Sequence, residues 1–306
     1  MGIGRGGDRP LIIEVAINGA RNAAANPHVP LTGEDIVRSA DASMRAGAAI
    51  LHAHAGMPVV GAGGHHDPEV YLEAFARILE LHPGALLYPT LPGGGPGTQM
   101  SRRLAHACAL ADRGLLGMVP VDPGTMNYGA VAADGAPPGH AAVYQTTYED
   151  VAWAMACARD RNLPCTLSAF EPGFVRLAEA YRLAGKLPAG SIVKLEFSAG
   201  RRLFGLKPTP RGLDAWLELF DHERFAWMVT LRDGDPSRGL AQWAIERGGH
   251  VRVGIEDYGG PRTPRNEELV AEIAEIGRRC GRRPARPAEV LAVLEAATPQ
   301  HSQIHG

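Results

Sequence analysis

The feature that most constrains the fold is the recurrence of short apolar runs between longer segments of helical period. The runs rich in strand-forming residues cover 11–17, 48–55, 85–91, 116–121, 164–170, 192–197, 224–230 and 251–257. Eight strands that each lead into a helix predict the α/β class and a (β/α)8 TIM barrel. In this architecture the functional groups lie at the carboxyl ends of the strands and on the loops that follow.

The helical segments share a polar entry, a periodic apolar face and a glycine exit. Thr32 precedes Asp35 by three residues in the first of them, as in a capping pattern. The competing architecture is an open doubly wound sheet, but "AINGARN" after the first strand is not the glycine-rich turn GxGxxG. No composition break interrupts the chain, so residues 1–306 are predicted to form a single barrel domain with a short flexible tail from about residue 298. The segments of helical period cover 32–47, 67–84, 147–162, 236–249 and 266–281.

The charge balance argues against a polyanionic partner. The chain has 31 Lys and Arg against 33 Asp and Glu, a formal net charge of -2, so neither nucleic acid nor an anionic membrane surface is expected as a partner. The four cysteines show no CxxC spacing, the first residues lack the apolar core of a signal peptide, and no apolar run is long enough to span a membrane. These features predict a reduced, cytoplasmic protein that acts on a small molecule.

The stretch "ILHAHAG", residues 50–56, places two histidines inside an apolar strand. His52 and His54 are two residues apart and therefore share one face of the predicted strand. Taken alone, the pair fits two hydrogen-bonded core histidines as well as it fits a metal site.

The eighth run, "VRVGIED", favours the metal site. A strand period places Arg252, Gly254 and Glu256 on one face, with Asp257 just past the strand end. A charged side chain inside a barrel is costly unless it is paired or bound to metal. The first strand alone separates this run from the histidines, and it ends in small residues that leave space. Two imidazoles and one carboxylate therefore predict a catalytic zinc site, although iron or manganese would also fit.

Further polar residues lie at other strand ends. Arg252 has two interpretations, as an ion-pair partner of Glu256 or Asp257 and as a bidentate contact to a substrate carboxylate, and a combined role is favoured. Glu171, in "SAFEPG", is either a general base or a residue that orients its loop. Lys194 and Glu196 share a face of the sixth strand and are interpreted mainly as an internal structural pair.

Two loops after the strands present hydroxyl and amide groups. Thr90 ends the third strand, and the fourth runs into "DPGTMNYG", which carries Thr125 and Asn127. These groups would either hydrogen-bond a substrate carbonyl or carboxylate, or close a structural turn. The loop "RRLFGLKPTPRG", residues 201–212, is interpreted as a solvated charged loop in preference to a site for CoA phosphates.

The chain resembles a known family, the β-keto acid cleavage enzymes, typified by the 3-keto-5-aminohexanoate cleavage enzyme of lysine fermentation. The resemblance covers most of the chain and keeps its order. It rests on "INGAR", "PHVPLTGEDIVRSADASMRAGAAILHAHA", "PGTMNYG", "FEPG", "GGHVRVGIED" and "NEELVAEI".

The resemblance implies a barrel that binds one Zn²⁺ through His52, His54 and Glu256. It also implies an activity in which a β-keto acid and acetyl-CoA give acetoacetate and a new acyl-CoA, through a Claisen step and a retro-Claisen step with zinc as the Lewis acid. The remaining site residues that it implies are Asp257 with Arg252 as the acid/base pair, Glu171 as a further carboxylate, and Thr90, Thr125 and Asn127 as substrate-binding positions. Asn18 and Arg21, which follow the first strand, are predicted to bind substrate as well. The resemblance also implies a homo-oligomer, either a dimer or a tetramer.

Two departures from the family pattern concern the substrate. The family continues HxH into HxHxR, whereas this chain has Gly56 in place of the arginine. The family member that acts on an amino substrate has an acidic residue after "GA" at the end of the first strand, where this chain has Arg21. Because Arg21 would repel an ammonium group, the expected substrate has a neutral or anionic distal group, as in a β-keto dicarboxylate.

Two other functions remain open from the sequence. The first alternative is a metal-dependent hydrolase on a TIM barrel, since such enzymes also carry an HxH motif. In that pattern, however, HxH lies on the first strand and further histidines lie on strands five and six, which carry none in this chain. A non-catalytic ligand-binding protein of the same family is the other alternative, for which Gly56 and Arg21 are the hints.

Overall fold

The structure is a computed structural model that describes residues 9–54, 67–137 and 142–298. Gly56 and the predicted tail beyond residue 298 lie outside the described residues. The strands are β1 Ile13–Ala16, β2 Ile50–Ala53, β3 Leu86–Pro89, β4 Val119–Val121, β5 Met126–Tyr128, β6 Ala142–Tyr144, β7 Cys165–Ala169, β8 Ile192–Ser198, β9 Trp227–Arg232 and β10 His250–Val253. The helices are α1 Gly33–Ala46, α2 Glu69–Leu81, α3 Met100–Arg103, α4 Ala105–Ala111, α5 Tyr148–Asp160, α6 Pro172–Leu183, α7 Pro210–Leu217, α8 Leu240–Glu246, α9 Asn266–Arg279 and α10 Val290–Ala297, with a 3₁₀ turn at Pro287–Glu289.

Eight parallel strands form one sheet in the order β3-β2-β1-β10-β9-β8-β7-β4. The two ends of this order meet where the Gly117 amide, just before β4, donates a 2.8 Å hydrogen bond to the Leu87 carbonyl of β3. The sheet therefore curls into a nearly closed (β/α)8 barrel. Every apolar run that the sequence indicated overlaps one of its strands, although β8, β9 and β10 each extend beyond the predicted bounds at one end. The predicted fold is confirmed.

The five predicted helical segments contain α1, α2, α5, α8 and α9, and α8 is shorter than its predicted segment. Thr32 accepts a hydrogen bond from the Asp35 amide and Asp35 reaches back to the Thr32 amide, which completes the predicted capping box of α1. Thr147 and Asp150 make the same reciprocal pair at the start of α5. The helix α1 packs between α2 and α9 on the outside of the barrel. Among the described residues, no helix combines the length and apolar character needed to cross a membrane.

An antiparallel hairpin, β5 with β6, interrupts the alternation after β4. Its two strands pair with each other and not with the barrel sheet. The hairpin contains Asn127, one of the predicted substrate-binding residues, which is exposed.

The barrel interior is unusually charged. Glu14 on β1, Lys194 and Glu196 on β8 and Arg252 on β10 are each at most 2% exposed. The strand register places Glu14 beside Arg252 on adjacent strands. Since an unpaired charge at such depth is very costly, these side chains must compensate one another.

The predicted course of the eighth strand is wrong at its end. The strand β10 ends at Val253, and the chain then turns at Gly254, which has φ +150°. The amides of Asp257 and Tyr258 both donate to the Gly254 carbonyl, and the Glu256 amide donates to the Ala16 carbonyl at 3.2 Å. Glu256 therefore reaches the barrel mouth from a turn and not by the alternation of a strand.

Gly254 leaves no room for a side chain, because a Cβ there would lie 2.0 Å from the Ala16 carbonyl oxygen. We expect Gly254→Ala to lower the free energy of unfolding by about 3 kcal/mol, since the turn must move away from β1. Gly248→Ala is the matched control, because Gly248 also has a positive φ of +84° but nothing within 4 Å of the added atom. Gly248→Ala should lower the free energy of unfolding by only about 1 kcal/mol. Urea denaturation measures both values, and equal losses in the two variants would contradict the proposed collision.

Candidate metal centre and cavity

Two histidines and one glutamate meet at the carboxyl end of the barrel. The Nε2 atom of His52 lies 3.3 Å from Oε2 of Glu256, and Nε2 of His54 lies 3.7 Å from the same oxygen. The possible ligand atoms of the three residues all lie within 4.8 Å of one another. The strand β2 and the residue after it provide the imidazoles, and the turn after β10 provides the carboxylate.

The chemistry of this cluster fits a divalent transition metal. Glu256 Oε2 is buried and accepts no hydrogen bond from any of the described residues. Burial would raise the pKa of Glu256, but the charges of Arg252 and of both histidines hold it well below its usual range. Burial also lowers the pKa of His52, which favours the neutral imidazole. An ionised carboxylate beside neutral imidazole nitrogen is the donor set that Zn²⁺ binds.

The end of β1 shapes the space between these ligands. The Asn18 amide donates to the His54 carbonyl at 2.6 Å and to the Pro30 carbonyl, while its oxygen accepts from the His54 and Gly19 amides. A Cβ on Gly19 would lie 2.3 Å from Cγ of Glu256, so only glycine lets that side chain pass. Asn18 was expected to bind substrate, but its hydrogen bonds are used to hold His54 in place.

Arg252 is the central cation of the barrel interior. Its Nη2 lies 2.8 Å from Glu256 Oε1, and its Nε donates to Asp257 Oδ2 at 2.7 Å. Its Nη1 donates to Glu14 Oε1 at 2.9 Å and to the Tyr88 hydroxyl at 3.1 Å. Every guanidinium nitrogen thus faces a protein acceptor, which is the ion-pair arrangement considered for Arg252, and the contact to a substrate carboxylate stays a prediction.

A second arginine, Arg232, completes the ionic network, and the sequence reasoning missed it. Its Nε donates to Glu196 at 2.9 Å, and its Nη1 contacts Glu256 Oε1 at 3.1 Å as well as Asp257. The seventh strand was predicted to end at residue 230, whereas β9 runs to Arg232. Extending the strand period by two residues would have placed Arg232 on the inward face with Thr230.

Asp257 is enclosed by this network and is only 3% exposed. It binds Arg252 and Arg232 and accepts a 3.2 Å hydrogen bond from the Thr230 hydroxyl. Burial would raise the pKa of Asp257, and the two guanidinium groups more than offset that effect and lower it. Asp257 is therefore held as a carboxylate behind Glu256, and it is not among the described residues that line the cavity.

Lys194 and Glu196 do not form the internal pair that was predicted. Lys194 donates to the Tyr88 hydroxyl at 2.8 Å and lies 3.6 Å from Glu14, whereas Glu196 pairs with Arg232. Alternation along one strand places both on the same side, but each finds its partner on a neighbouring element. The Tyr88 ring stacks on His52 with centroids 4.7 Å apart, so the network extends to the metal ligands.

A cavity of ≈ 490 Å³ opens beside the cluster and is lined by His52, His54 and Glu256. Its described walls carry more basic than acidic side chains. Asp122 and Glu256 are the acids. The basic residues are Arg21, Lys194, Arg202, Arg232 and Arg252.

The outer wall of the cavity is the β5–β6 hairpin with the loop after β3. Tyr128 and Tyr144 line it from the hairpin, and the Tyr144 hydroxyl donates to Asp122 at 2.5 Å. Arg103, 1% exposed, donates to the Tyr144 hydroxyl at 2.7 Å and to the Pro92 carbonyl at 2.8 Å. This buried guanidinium ties the hairpin to the loop that faces it.

The other predicted substrate-binding residues divide into two groups. Thr90 and Arg21 line the cavity, and Arg21 also donates to the carbonyls of Glu256 and Tyr258. Thr125, Asn127 and Glu171 are not among the described lining residues. The Thr125 hydroxyl instead exchanges hydrogen bonds with the backbone of Thr146, which is the structural alternative considered for that turn.

Glu171 lies at the start of α6 and is partly exposed. Burial raises the pKa of its carboxyl group. This shift suits a proton acceptor, but Glu171 is not among the described residues that line the cavity, so its role stays a prediction.

Comparison with known proteins adds to this geometry. The model of the beta-keto acid cleavage enzyme family matches residues 10–295. The chain is 27% identical to a 3-keto-5-aminohexanoate cleavage enzyme of Fusobacterium nucleatum, over 93% of this chain and 97% of that protein. It is also 27% identical to a 3-oxoadipate:acetyl-CoA acetyltransferase of Cupriavidus necator, over 94% of this chain and 95% of that protein. A solved structure of ObcA with oxaloacetate superposes with a TM-score of 0.63 at 18% identity, covering 88% of this chain and 67% of that one, and it supports the fold.

Replacing Arg252 tests the ionic network. Arg252→Met should lower the free energy of unfolding by about 3–5 kcal/mol, because it leaves Glu14 and Asp257 buried without their cation. Arg38→Met is the control, since Arg38 makes exposed pairs with Glu34 and Asp35 and should cost less than about 1 kcal/mol.

The pH dependence of this loss separates charge from packing. The pKa values of Glu14 and Asp257 are lowered in the folded protein. The two ionised carboxylates therefore stabilise the fold fully above the pKa values of the unfolded chain, 4.5 for Glu14 and 3.8 for Asp257, and this stabilisation is lost as the pH falls further. The difference in the free energy of unfolding between the wild type and Arg252→Met, measured by urea denaturation, should therefore become smaller as the pH drops below about 4. A difference that stays constant with pH would show that packing, and not charge, accounts for the loss.

Proposed function

The chain belongs to the beta-keto acid cleavage enzyme family, and from this premise we propose that it catalyses the acetyl-CoA-dependent cleavage of a β-keto acid. The products would be acetoacetate and the acyl-CoA of the remaining acid. The observation that carries the proposal is the His52, His54 and Glu256 cluster at the mouth of the barrel. The names of two relatives that act on β-keto acids, one of them with acetyl-CoA, support the reaction class.

We propose zinc, or another divalent transition metal, as the resident ion of this cluster. His52, His54 and Glu256 would hold it. A metal bound there would act as a Lewis acid on the keto and carboxylate oxygens of the substrate. Asn18, Gly19 and the Gly254 turn contribute by fixing where the ligands lie.

The ionic network assigns a positioning role to Arg252 and Asp257. Arg252 binds one oxygen of Glu256 and leaves Oε2 directed at the histidines. Asp257 holds the Arg252 guanidinium through Nε, and Thr230 holds Asp257. We propose that this chain of contacts orients the Glu256 carboxylate, in place of the acid/base role that the resemblance implied for the pair.

The proton at C2 of the keto acid needs an acceptor that faces the cavity. Lys194 lines the cavity, and burial lowers the pKa of its ammonium group, although Glu14 opposes the shift. Tyr88 holds the Lys194 amine beside His52 through a 2.8 Å hydrogen bond. We therefore propose Lys194 as the proton acceptor, with Tyr88 as its positioning residue.

The positive walls of the cavity support an anionic substrate, and we propose a β-keto dicarboxylate. Arg21 and Arg202 line the cavity in addition to the arginines of the ionic network. Arg202 contacts the Tyr128 hydroxyl at 2.9 Å and Asp233 at 3.2 Å, which fixes it at the hairpin side of the cavity. The 3-oxoadipate named for one relative is a β-keto dicarboxylate.

Three further features that were expected from the sequence remain proposals. They are acetyl-CoA as the second substrate of this chain, a single domain over residues 1–306, and a homo-oligomeric state. The names of the relatives support the first of them.

Removing one ligand or one base distinguishes metal binding from proton transfer. His52→Ala should reduce tightly bound zinc from about one ion per chain to near none and abolish acetoacetate release, because two ligands cannot hold the ion. Lys194→Met should retain the zinc and lower kcat by about 10²–10⁴-fold, because it removes the proton acceptor and leaves all three ligands, with Glu14 still paired to Arg252. Elemental analysis after dialysis and a coupled acetoacetate assay measure the two effects. Full metal content in His52→Ala, or an unchanged kcat in Lys194→Met, would overturn the corresponding assignment.

The substrate preference can be tested with two keto acids. The wild type should have a higher kcat/KM for 3-oxoadipate than for 3-keto-5-aminohexanoate, and Arg21→Glu should shift that ratio towards the amino substrate by about tenfold or more. Arg21→Gln separates removal of the positive charge from addition of a negative one, and Arg38→Glu controls for total charge. The acyl-CoA products are measured by mass spectrometry. Faster turnover of the amino substrate by the wild type would show that the dicarboxylate proposal is wrong.

A further inference from the structure

Two cysteines far apart in the chain lie side by side outside the cavity. Cys108 is on α4 and Cys157 is on α5, and their Sγ atoms are 3.2 Å apart. This separation is that of two thiols in contact, and forming a bond between them requires an approach of about 1 Å. The separation of 49 positions along the chain explains why no short cysteine motif marks the pair in the sequence.

The pair opens onto a second cavity of ≈ 320 Å³, which shares no lining residue with the first. Trp153 and Arg161 line it together with both cysteines. The Nη1 atom of Arg161 donates to Cys157 Sγ at 3.3 Å, and its Nε is held by Asp112 at 3.1 Å. A fixed positive charge thus lies against one sulfur, as at reactive thiols in other proteins.

We propose that Cys108 and Cys157 are a redox-active pair that forms an intramolecular disulfide when it meets a small-molecule disulfide. The cavity gives the reagent access, Arg161 stabilises the attacking sulfur, and Cys108 lies within reach as the resolving thiol. This inference does not depend on the function proposed above.

The reaction balances in two exchanges. The Cys157 thiolate attacks one sulfur of oxidised glutathione, forms a mixed disulfide and releases one glutathione thiolate. Cys108 then loses its proton to solvent and attacks Cys157 Sγ, which releases the second glutathione. The protein loses two electrons and two protons, and one oxidised glutathione becomes two reduced ones.

The titration behaviour of the two thiols agrees with this order. The hydrogen bond from Cys108, with the charge of Arg161, lowers the pKa of Cys157 to about 7. The same hydrogen bond and burial raise the pKa of Cys108. The remaining cysteines differ, because burial raises the pKa of Cys165 to about 12, and Cys280 lies beyond α9 with its pKa also raised by burial.

The test counts thiols and maps disulfides in the full chain after incubation with oxidised glutathione at neutral pH. The wild type should lose two of its four thiols, lose the mass of two hydrogen atoms, and yield a peptide that links Cys108 to Cys157. Cys108→Ser should stop at a single glutathione adduct on Cys157, because it lacks the resolving thiol. Cys280→Ser is the matched control and should behave as the wild type. Alkylation of Cys157 by iodoacetamide should show a midpoint near pH 7 that moves upward in Arg161→Gln.

Several outcomes would overturn the proposal. Retention of all four thiols in the wild type would do so, as would linkage through Cys165 or Cys280, or a Cys108→Ser variant without an adduct. The wild-type result alone decides the question if a substituted variant fails to fold.

Discussion

The pairing of Arg252 with the carboxylates around it is the interaction on which this structure depends. Its guanidinium joins Glu14 on β1 to the turn that carries Glu256 and Asp257, and it also contacts Tyr88 on β3. A barrel of this kind is usually filled by branched apolar side chains. Here the interior is ionic, and Glu14, Lys194, Glu196 and Arg252 are tolerated because each has an opposite charge within 4 Å. The geometry of the mouth is therefore set from inside the barrel.

The sequence predicted the architecture well because the signals for it are local. The eight apolar runs and the capping pattern of Thr32 with Asp35 each need only a few consecutive residues to be recognised. The structure contains a strand at every run and the capping box at Thr32. The spacing of His52 and His54 is equally local. The spatial order of the strands then follows from closure of the barrel, which places β1 between β2 and β10.

What the sequence could not predict depends on contacts between distant segments. Glu256 departs from the strand alternation because the chain turns at Gly254. Lys194 donates its hydrogen bond to Tyr88 and does not pair with Glu196, because Tyr88 lies on another strand of the barrel. Arg232 was missed because β9 ends two residues further along than the predicted strand. Asn18 is polar and lies near the mouth of the barrel. Its amide group hydrogen-bonds to the backbone of His54, a contact that depends on how β1 and β2 are placed and that the sequence does not show.

The β5–β6 hairpin has a consequence for how such a protein can diversify. It forms one side of the cavity, and among the described residues it pairs with no strand of the barrel. Side chains hold it in place, among them the buried guanidinium of Arg103. Insertions, deletions or substitutions there would resize the space around a ligand at little cost to folding. The part of the protein that discriminates among ligands and the part that keeps it folded are thus distinct modules, which selection can modify independently.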